Sequence, residues 1–498
     1  MKTNRTGRSA VGCVLAIVAT IATAAPAAAQ QAPATLTLDE ALELARRYSP
    51  AFRQQANDEG VAHWNLRSAY GQLLPSASIG GGVDWRAGGS RRIENIDLGG
   101  APDEMSSGYR LGVSMSLSGA TLFGLAQARA ESRATEARID AAAYVLEANV
   151  TRQYLTAKRA HDAVALAERD LATADAALQL VEARIAAGAA ARVDASQAIV
   201  ERGRAEVGLI QAQAAEQMER LLLLELLGLD IGDQIVLTSE FEVFAPTWTL
   251  EQLTASAMAE HPQLEAARAG EAAGRAGARA ARMSYLPSLS ISGGWSGYTQ
   301  MTMDEDYLIG AAQGNAVSQI ESCEWTNDLY ARLANPLPPQ DCSRFAFTDE
   351  DRQSILAGNG MFPFDFTKAP PSFSMGISLP LFNGFQREAN VQRAAAAADD
   401  AKHQRREAEL RLRAALATAW LGLNTAYSTV AVEERNVAAA EEQLQLQQER
   451  YRLGAGTLLE LTQAQAAMAR ARQAQLEALY SFHENLAALE AAVGRPLR

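Results

Sequence analysis

The side chains that take part in enzyme chemistry are sparse in this chain of 498 residues. No serine, cysteine or acidic residue combines with a histidine in a catalytic pattern, and the glycine turns lack the lysine of a phosphate-binding loop. The histidines stand singly along the sequence, at His63, His161, His261, His403 and His483. We therefore predict a protein that is not an enzyme and that binds no metal or cofactor.

Two cysteines, Cys323 and Cys342, are the residues for which a covalent bond is predicted. They fall in one segment and are expected to pair as a disulfide bond, because the chain is predicted to reach an oxidising compartment. The bond would close a loop of about 20 residues and contribute about 3 kcal/mol to stability. Two free thiols are the alternative, and a zinc site is disfavoured because no histidine lies nearby.

The first 29 residues have the pattern of a secretory signal peptide. Three basic residues precede an apolar run over 11–23, and three alanines at 27–29 form a cleavage site. Removing those three basic residues takes the formal net charge from −13 to −16. This acidity disfavours nucleic acid or an anionic membrane surface as a partner.

The chain contains a tandem duplication of a unit of about 200 residues. At an offset of 212, Leu74-Pro75-Ser76 matches Leu286-Pro287-Ser288, and at an offset of 266, Gly188 matches Gly454. Between them the offset is 264, so 52 residues are inserted into the second copy. The predicted organisation is a signal peptide at 1–29, a first repeat at 30–228, a linker at 229–249 and a second repeat at 250–498.

Four segments alternate large apolar with small polar residues, as strands with two different faces do. The first repeat holds a predicted hairpin at 76–118, and the second holds strands at 288–299 and 372–380 around an insertion at 300–371. Serine and glycine fill the polar face, which is typical of transmembrane β-strands with apolar residues toward lipid. A half-buried strand in a soluble sandwich is the alternative. No later apolar stretch is long enough for a transmembrane helix, so membrane insertion would depend on these strands.

The rest of the sequence is predicted to be mainly helical. Apolar residues over 164–185 follow alternating spacings of three and four, which is the seam of a coiled coil. Glycine supplies the backbone conformation that closes a helix, so Gly188 and Gly454 mark the tips of two helical hairpins. Return helices are expected at 192–227 and 458–493, a long helix at 122–187, and shorter helices at 38–71 and 250–284.

The predicted strands require more than one chain. Four strands do not close a barrel, and an open sheet edge in lipid leaves backbone groups unpaired at a cost of several kcal/mol each. Three chains would supply twelve strands, a size with an open lumen, and helices to continue the tube. The predicted fold class is an α+β membrane protein: a trimeric channel-tunnel with a twelve-stranded transmembrane barrel and a periplasmic helical barrel of coiled-coil hairpins.

The order of these elements resembles the TolC-like outer-membrane efflux proteins. Two motifs carry the resemblance: the strand-to-helix passage Leu379-Pro380-Leu381-Phe382-Asn383-Gly384 and the tip sequence from Tyr451 to Leu461. It covers essentially all of the chain after residue 29. The resemblance implies a homotrimer in the outer membrane of a Gram-negative bacterium that reaches into the periplasm, with the insertion outside the cell.

The resemblance also implies a function and partners. The channel would be the passive exit duct of a tripartite efflux or type I secretion system, with a periplasmic adaptor and an inner-membrane RND or ABC transporter that selects the substrate. Residues at the two tips would form the surface on which the adaptor docks: Gly188, Ala189, Gly454 and Gly456.

The resemblance further implies a gate beyond the second tip, where acidic residues often line the entrance in this family. Glu460 keeps an acid at the first such place, Gln463 is neutral at the second, and Thr457 lies one turn before Glu460. Three copies of Glu460 would repel one another and favour cations. Asp194 is the first-repeat counterpart. The alternative is that both acids are ordinary residues at helix starts, which the helix dipole favours.

Two rival functions remain open at this point. A trimeric coiled-coil surface or structural protein with a β-barrel anchor would combine the same elements, but its strands would lie together at one end of the sequence. Here the strands interrupt the chain twice. The second rival keeps the tunnel and changes the cargo from small toxic molecules to secreted proteins or metal ions; no cluster of methionine or histidine supports metal.

Overall fold

The computed structural model describes residues 35–93, 96–230 and 235–497, so the predicted signal peptide lies outside the described residues. The chain divides into two compact units. The first unit comprises residues 1–58, of which 35–58 are described, together with 137–266 and 407–498. The second unit comprises 59–136 and 267–406.

Helices make up most of the described chain. In chain order they are α1 (Leu38–Tyr48), α2 (Pro50–Gly71), α3 (Gly119–Ala186), α4 (Arg192–Leu227), α5 (Leu250–Glu260), α6 (Pro262–Arg282), α7 (Glu305–Ala331), α8 (Asp349–Asn359), α9 (Gln386–Arg452) and α10 (Leu458–Val493). The strands are β1 (Thr35–Leu36), β2 (Ser76–Arg86), β3 (Gly89–Ile93), β4 (Ile96–Ala101), β5 (Glu104–Leu117), β6 (Val236–Leu237), β7 (Ser288–Thr302), β8 (Thr367–Lys368) and β9 (Ser372–Ser378).

The four long strands form one antiparallel sheet in the order β2-β5-β7-β9, and the short β8 pairs with β7 beside β9. Ile79 of β2 lies opposite Leu111 of β5, which in turn lies opposite Trp295 of β7. Because strand residues alternate between faces, this register places the predicted apolar positions in one row. The strands β5 and β7 are longer than predicted, with 14 and 15 residues.

The two long helices, α3 and α9, contain 68 and 67 residues. At 1.5 Å per residue each would extend about 100 Å if straight. Every seam residue predicted between 164 and 185 is at least partly buried, so the predicted seam takes part in the packing of α3. The return helices α4 and α10 begin and end where the sequence predicts. Among the described residues, no helix contains an apolar stretch long enough to cross a membrane.

The shorter helices differ from the prediction, since each consists of two helices. A break separates α1 from α2 at Ser49, and another separates α5 from α6 at His261. Proline lacks a backbone N–H and disfavours helical conformation in the residue before it. Pro50 and Pro262 follow the breaks, and the two preceding residues are extended, with ψ of 118° and 125°. The expectation of continuous helices over 38–71 and 250–284 was therefore wrong.

Each of these breaks packs against the glycine that ends a return helix. Gly228 and Gly494 adopt left-handed backbone conformations, with φ of 74° and 92°. A Cβ atom on Gly228 would lie 2.5 Å from the carbonyl oxygen of Tyr48, and one on Gly494 would lie 3.2 Å from the Cα of His261. The close approach thus requires glycine in both places.

The predicted linker contains the strand β6, which pairs in parallel with β1. Tyr154 of α3 holds this strand pair in place, because its buried hydroxyl donates a hydrogen bond to the Leu36 carbonyl oxygen at 2.8 Å. The tyrosine is fully buried and packs with Leu223, Leu224 and other apolar residues of one core. The first unit therefore has its own hydrophobic core around the linker.

The insertion, for which the sequence predicts no particular element, is mainly helical. Asp304 caps α7 by accepting from the Tyr307 amide at 2.9 Å, and Thr348 caps α8 by accepting from the Asp351 amide at 3.2 Å. Both caps precede acidic residues in the first helical turn. Such caps are the sequence signal that could have found these helices.

The end of the insertion is attached to the sheet by side-chain contacts. Asn359 accepts from the Thr302 amide at 2.7 Å and donates to the Thr302 carbonyl at 2.9 Å, as a neighbouring strand would. Ser107 donates to the Pro363 carbonyl. The Tyr109 and Phe366 rings meet edge to face, with centres 5.1 Å apart. The last residues of β7 therefore keep hydrogen-bond partners beyond the end of β8.

Candidate functional site

The sheet has one apolar and one polar face. Large apolar side chains stand exposed on the first, with Ile79 81%, Phe373 76% and Ile377 74% accessible. Serines on the second face bond across strands: Ser76 to Ser114 at 2.9 Å and Ser292 to Ser374 at 2.7 Å between hydroxyl oxygens. The alternation of the sequence therefore produces a sheet with chemically opposite sides.

Both outer strands of this sheet have a free edge. Within the described residues β2 pairs only with β5, and β9 pairs only with β7. Each free edge carries backbone donors and acceptors that need partners, and a flat apolar edge strand left alone is prone to pair with another chain. Partners for these two edges would have to come from outside the sheet.

The two helical turns that we call the first tip (residues 187–191) and the second tip (residues 453–457) have the same geometry. Gly188 and Gly454 have φ of 73° and 76°. The next amide in each case donates back to an arginine carbonyl: Ala189 to Arg184 at 2.7 Å and Ala455 to Arg450 at 2.8 Å. This left-handed cap explains why glycine stands at both predicted positions.

Apolar side chains that are exposed to solvent surround the two tips. Leu453 is 76% exposed, Val193 is 70% exposed and Leu459 is 56% exposed. The predicted docking residues Ala189 and Gly456 lie beside them, exposed and partly buried respectively. These surfaces offer contact area for another protein.

The predicted gate residues occupy the first turns of the return helices. Glu460 accepts from the Thr457 amide at 3.0 Å, and the Thr457 hydroxyl accepts from the Glu460 amide at 3.3 Å. Asp194 accepts from the Ala191 amide at 3.1 Å. Gln463 is exposed. Both carboxylates therefore act as helix caps, which is the role given by the alternative interpretation and which leaves their second oxygen for other contacts.

Arg184 is a residue at the tips that the sequence analysis did not single out. Its guanidinium donates to the Ala189 carbonyl at 3.1 Å and to the carbonyl of Tyr451, and it lies 4.4 Å from the centre of the Tyr451 ring. Arg450, at an offset of 266, donates to the Ala455 carbonyl at 3.3 Å. The sequence shows an arginine at both positions related by this offset, but it does not show that Arg184 contacts Tyr451.

The cysteines of the insertion are joined. Cys323 of α7 and Cys342, in a 3₁₀ turn over Cys342–Phe345, form a disulfide bond with sulfur atoms 2.05 Å apart. In the described parts of the chain, no three histidine, cysteine, aspartate or glutamate side chains are grouped so that they could hold a metal ion.

Comparison with known proteins identifies the class that combines such a sheet with such helical hairpins. A family model described as "Outer membrane efflux protein" matches residues 41–229 and 351–495. The crystal structure of the outer membrane protein VceC of Vibrio cholerae has the same fold, with a TM-score of 0.66 at 17% identity over 93% of this chain and 97% of that one.

Two curated relatives match over shorter segments. Protein CyaE of Bordetella pertussis is 32% identical over 272 residues, which are 52% of this chain and 54% of CyaE. Outer membrane protein OprJ of Pseudomonas aeruginosa is 27% identical over 265 residues, which are 51% of this chain and 54% of OprJ. The matches therefore span about half the length of each relative.

The chain belongs to the outer membrane efflux protein family, and the resemblance to TolC-like channels is confirmed. Its location is the outer membrane of a Gram-negative bacterium. The family is one of transport proteins.

Proposed function

We propose that three copies of this chain form a passive exit duct through the outer membrane. The duct serves a tripartite efflux or type I secretion system, in which an inner-membrane RND or ABC transporter supplies the energy and a periplasmic adaptor joins the two. The observation that carries this proposal is the sheet with two free edges and an exposed apolar face.

Closure of the sheet explains the number of chains. The free edge of β2 in one copy pairs with the free edge of β9 in the next, which satisfies the backbone groups that lipid cannot. Three copies give twelve strands, an even number that encloses a lumen. The two repeats would then contribute equivalent pairs of strands to one barrel.

The two faces of the sheet support the same arrangement. Exposed Ile79, Phe373 and Ile377 suit lipid tails, whereas the serine-lined face suits water. The lumen is therefore polar and does not select its cargo strongly. Selection of small toxic molecules or of secreted proteins belongs to the transporter that feeds the duct.

The helical tips form the periplasmic entrance and the adaptor site. Leu453, Val193 and Leu459 provide apolar contact area, and the glycine turns allow another helix to approach the backbone closely. Glu460 lines the entrance as three copies, with Thr457 and Gln463 on the same stretch of helix. Arg184 and Tyr451 tie the two tips of each chain together.

Native mass measurement of the detergent-purified protein tests closure of the sheet. The expected species is a trimer that conducts ions in planar bilayers, and a stable monomer would remove the argument. Ile79→Lys on the apolar face should lower the trimer fraction, since a lysine facing the middle of the bilayer costs about 2–4 kcal/mol. Ser78→Lys on the polar face is the matched control and should leave the trimer intact. Equal effects would contradict the assignment of faces.

A further inference from the structure

One exposed helical face is basic although the chain as a whole is acidic. Arg275, Arg279 and Arg282 of α6 are spaced by four and three residues, so they project from the same side of the helix. All three side chains are exposed, and Arg275 is 62% accessible. We call this surface the basic face of α6.

Neighbouring acids do not neutralise the basic face. Arg275 lies 3.8 Å from Glu271, but Glu271 already holds Arg405 at 2.5 Å. Within the described residues, neither Arg279 nor Arg282 forms an ion pair. The face therefore keeps a net positive charge toward solvent.

The three arginines line an open cleft of 460 Å³ between α6 and the first part of α9. The floor consists of alanines, among them Ala278 and Ala398, so no bulky side chain fills the space. Asp399 is the acidic residue that lines it, against three guanidinium groups. A cleft of this charge fits a phosphate group better than a cation or an apolar ligand.

The basic face lies close to the point where the strands begin. Arg282 ends α6 six residues before Ser288 starts β7, and the seven residues from Arg282 back to Arg275, about two helical turns, span about 10 Å along the axis. The polar layer on each side of a bilayer is about 5–8 Å thick, and arginine side chains extend to reach it.

Exposed aromatic residues mark the boundary between the strands and the helices. Tyr285, Phe382 and Phe385 are 45%, 72% and 68% accessible. Phe385 even has a positive φ of 62°, directly after Gly384 at 69°, a conformation that phenylalanine seldom adopts. Exposed aromatic rings at a strand end are typical of the level of lipid headgroups. The arginines therefore follow on the periplasmic side of an aromatic belt.

The first repeat has a reduced version of the same arrangement. Arg67 stands at the position of Arg279 by the offset of 212, and its guanidinium lies 4.9 Å from the ring centre of Trp64, which is 67% exposed. The first repeat thus keeps one arginine where the second repeat has three ahead of its first long strand.

We propose that the basic face of α6 binds the phosphate groups of anionic phospholipids in the periplasmic leaflet of the outer membrane. This rests on the proposed function, because it takes the strands as membrane-spanning. The overall acidity of the chain disfavours a general attraction to anionic membranes, but the cleft concentrates three positive charges at one level of the bilayer. Lipid bound there fixes the depth and the rotation of the barrel.

The test uses the full-length protein in nanodiscs of phosphatidylcholine with increasing phosphatidylglycerol. Native mass spectrometry counts the phosphatidylglycerol molecules that remain on the trimer. The variant carries Arg275→Gln, Arg279→Gln and Arg282→Gln. The control carries Arg204→Gln, Arg411→Gln and Arg452→Gln, which removes the same charge from exposed arginines that pair with acids on their own helices.

Anionic lipid should bind about fivefold more weakly for each basic-face arginine lost. The control, and a variant that carries Arg275→Lys, Arg279→Lys and Arg282→Lys, should keep wild-type binding because the charge of the basic face is unchanged. Equal retention in all variants would overturn the proposal. Competition by free glycerol phosphate at millimolar concentration would also overturn it, since the cleft would then be a site for soluble phosphate. Trimer mass and channel conductance are recorded on the same samples, so failure of the barrel is distinguished from failure of lipid binding.

Discussion

The guanidinium of Arg184 stacks 4.4 Å above the ring of Tyr451 and donates to the backbone carbonyl of the same residue. One side chain therefore joins the end of α3 to the end of α9. Tyr451 is 3% exposed, and burial raises the pKa of its hydroxyl. Position 185, the counterpart of Tyr451 in the first repeat, is isoleucine, so Arg450 has no such ring to stack on.

Replacing Arg184 with alanine should loosen the second tip. The stacking and the charged hydrogen bond together contribute about 2 kcal/mol, so we expect larger single-channel conductance in planar bilayers. Arg450→Ala removes the matching bond to its own turn and should change conductance less. Equal conductance of the two variants would show that the bond between the tips does not restrict the entrance.

Substitutions at Glu460 separate its charge from its role as a cap. Glu460→Gln keeps an acceptor for the Thr457 amide and should lower cation preference and block by multivalent cations with little loss of stability. Glu460→Ala should lower cation preference too and cost about 1 kcal/mol of stability.

Asp194→Ala is the matched control for the charge at Glu460. It removes a similar bond, to the Ala191 amide, so it should cost similar stability but change selectivity less. Reversal potentials in salt gradients measure the selectivity. Equal shifts from Asp194 and Glu460 would mean that the first hairpin lines the entrance as much as the second does, and no shift from either would leave both acids as caps only.

The disulfide bond between Cys323 and Cys342 should stabilise the insertion and not the trimer. Loss of a bond that closes a loop of about 20 residues costs about 3 kcal/mol. Cys342→Ser together with Cys323→Ser should therefore increase proteolysis within 305–358 while leaving the trimer mass unchanged. Peptide mapping without reductant provides the direct check, and recovery of two free thiols from the native protein would contradict the pairing.

His261 should make stability depend on pH. It is 2% exposed, its Nε2 lies 3.1 Å from the Ala491 carbonyl oxygen, and its Nδ1 accepts from the Gln263 amide at 3.2 Å. Burial lowers its pKa below the ordinary 6.5. The unfolded chain then binds the proton more readily, so this stability is complete above about pH 6.5 and is lost as the pH falls below it.

His261→Ser tests this dependence, because the first repeat has the buried Ser49 at the matching position. The melting temperature of wild type should fall more between pH 7.5 and 5.5 than that of the variant. The same fall in both proteins would assign the effect to other groups.

The parts of the fold that depend on local pattern could be predicted from the sequence. The heptad seam, the glycine turns and the alternation of strands are repeated signals within single segments, and the bounds of α4 and α10 follow from them. The predictions failed at Pro50 and Pro262, where a single residue overrides a helical pattern. They gave no helix bounds in the insertion, because its helices are apolar on no particular side and only their caps identify them.

The residues of the candidate site were harder to predict because their roles depend on contacts between distant segments. Gly188 and Gly454 could be identified, because glycine is the residue that most readily adopts the left-handed backbone conformation that closes a helix. Arg184 was not, because the ring it stacks on lies 267 residues away. The basic face of α6 could not be predicted from the net charge of the chain, because a sum over all residues does not show where basic residues cluster.

The double hydrogen bond between Asn359 and Thr302 makes the insertion a separable cassette. Asn359, the last residue of α8, bonds to both backbone groups of Thr302 at the end of β7, and β8 pairs with β7 earlier along the strand. A foreign peptide grafted in place of residues 306–357 would therefore leave the strands paired, provided that Asn359 and the residues after it are retained. With the insertion outside the cell, as the resemblance to TolC-like channels implies, the chain would be a scaffold for displaying epitopes on the bacterial surface.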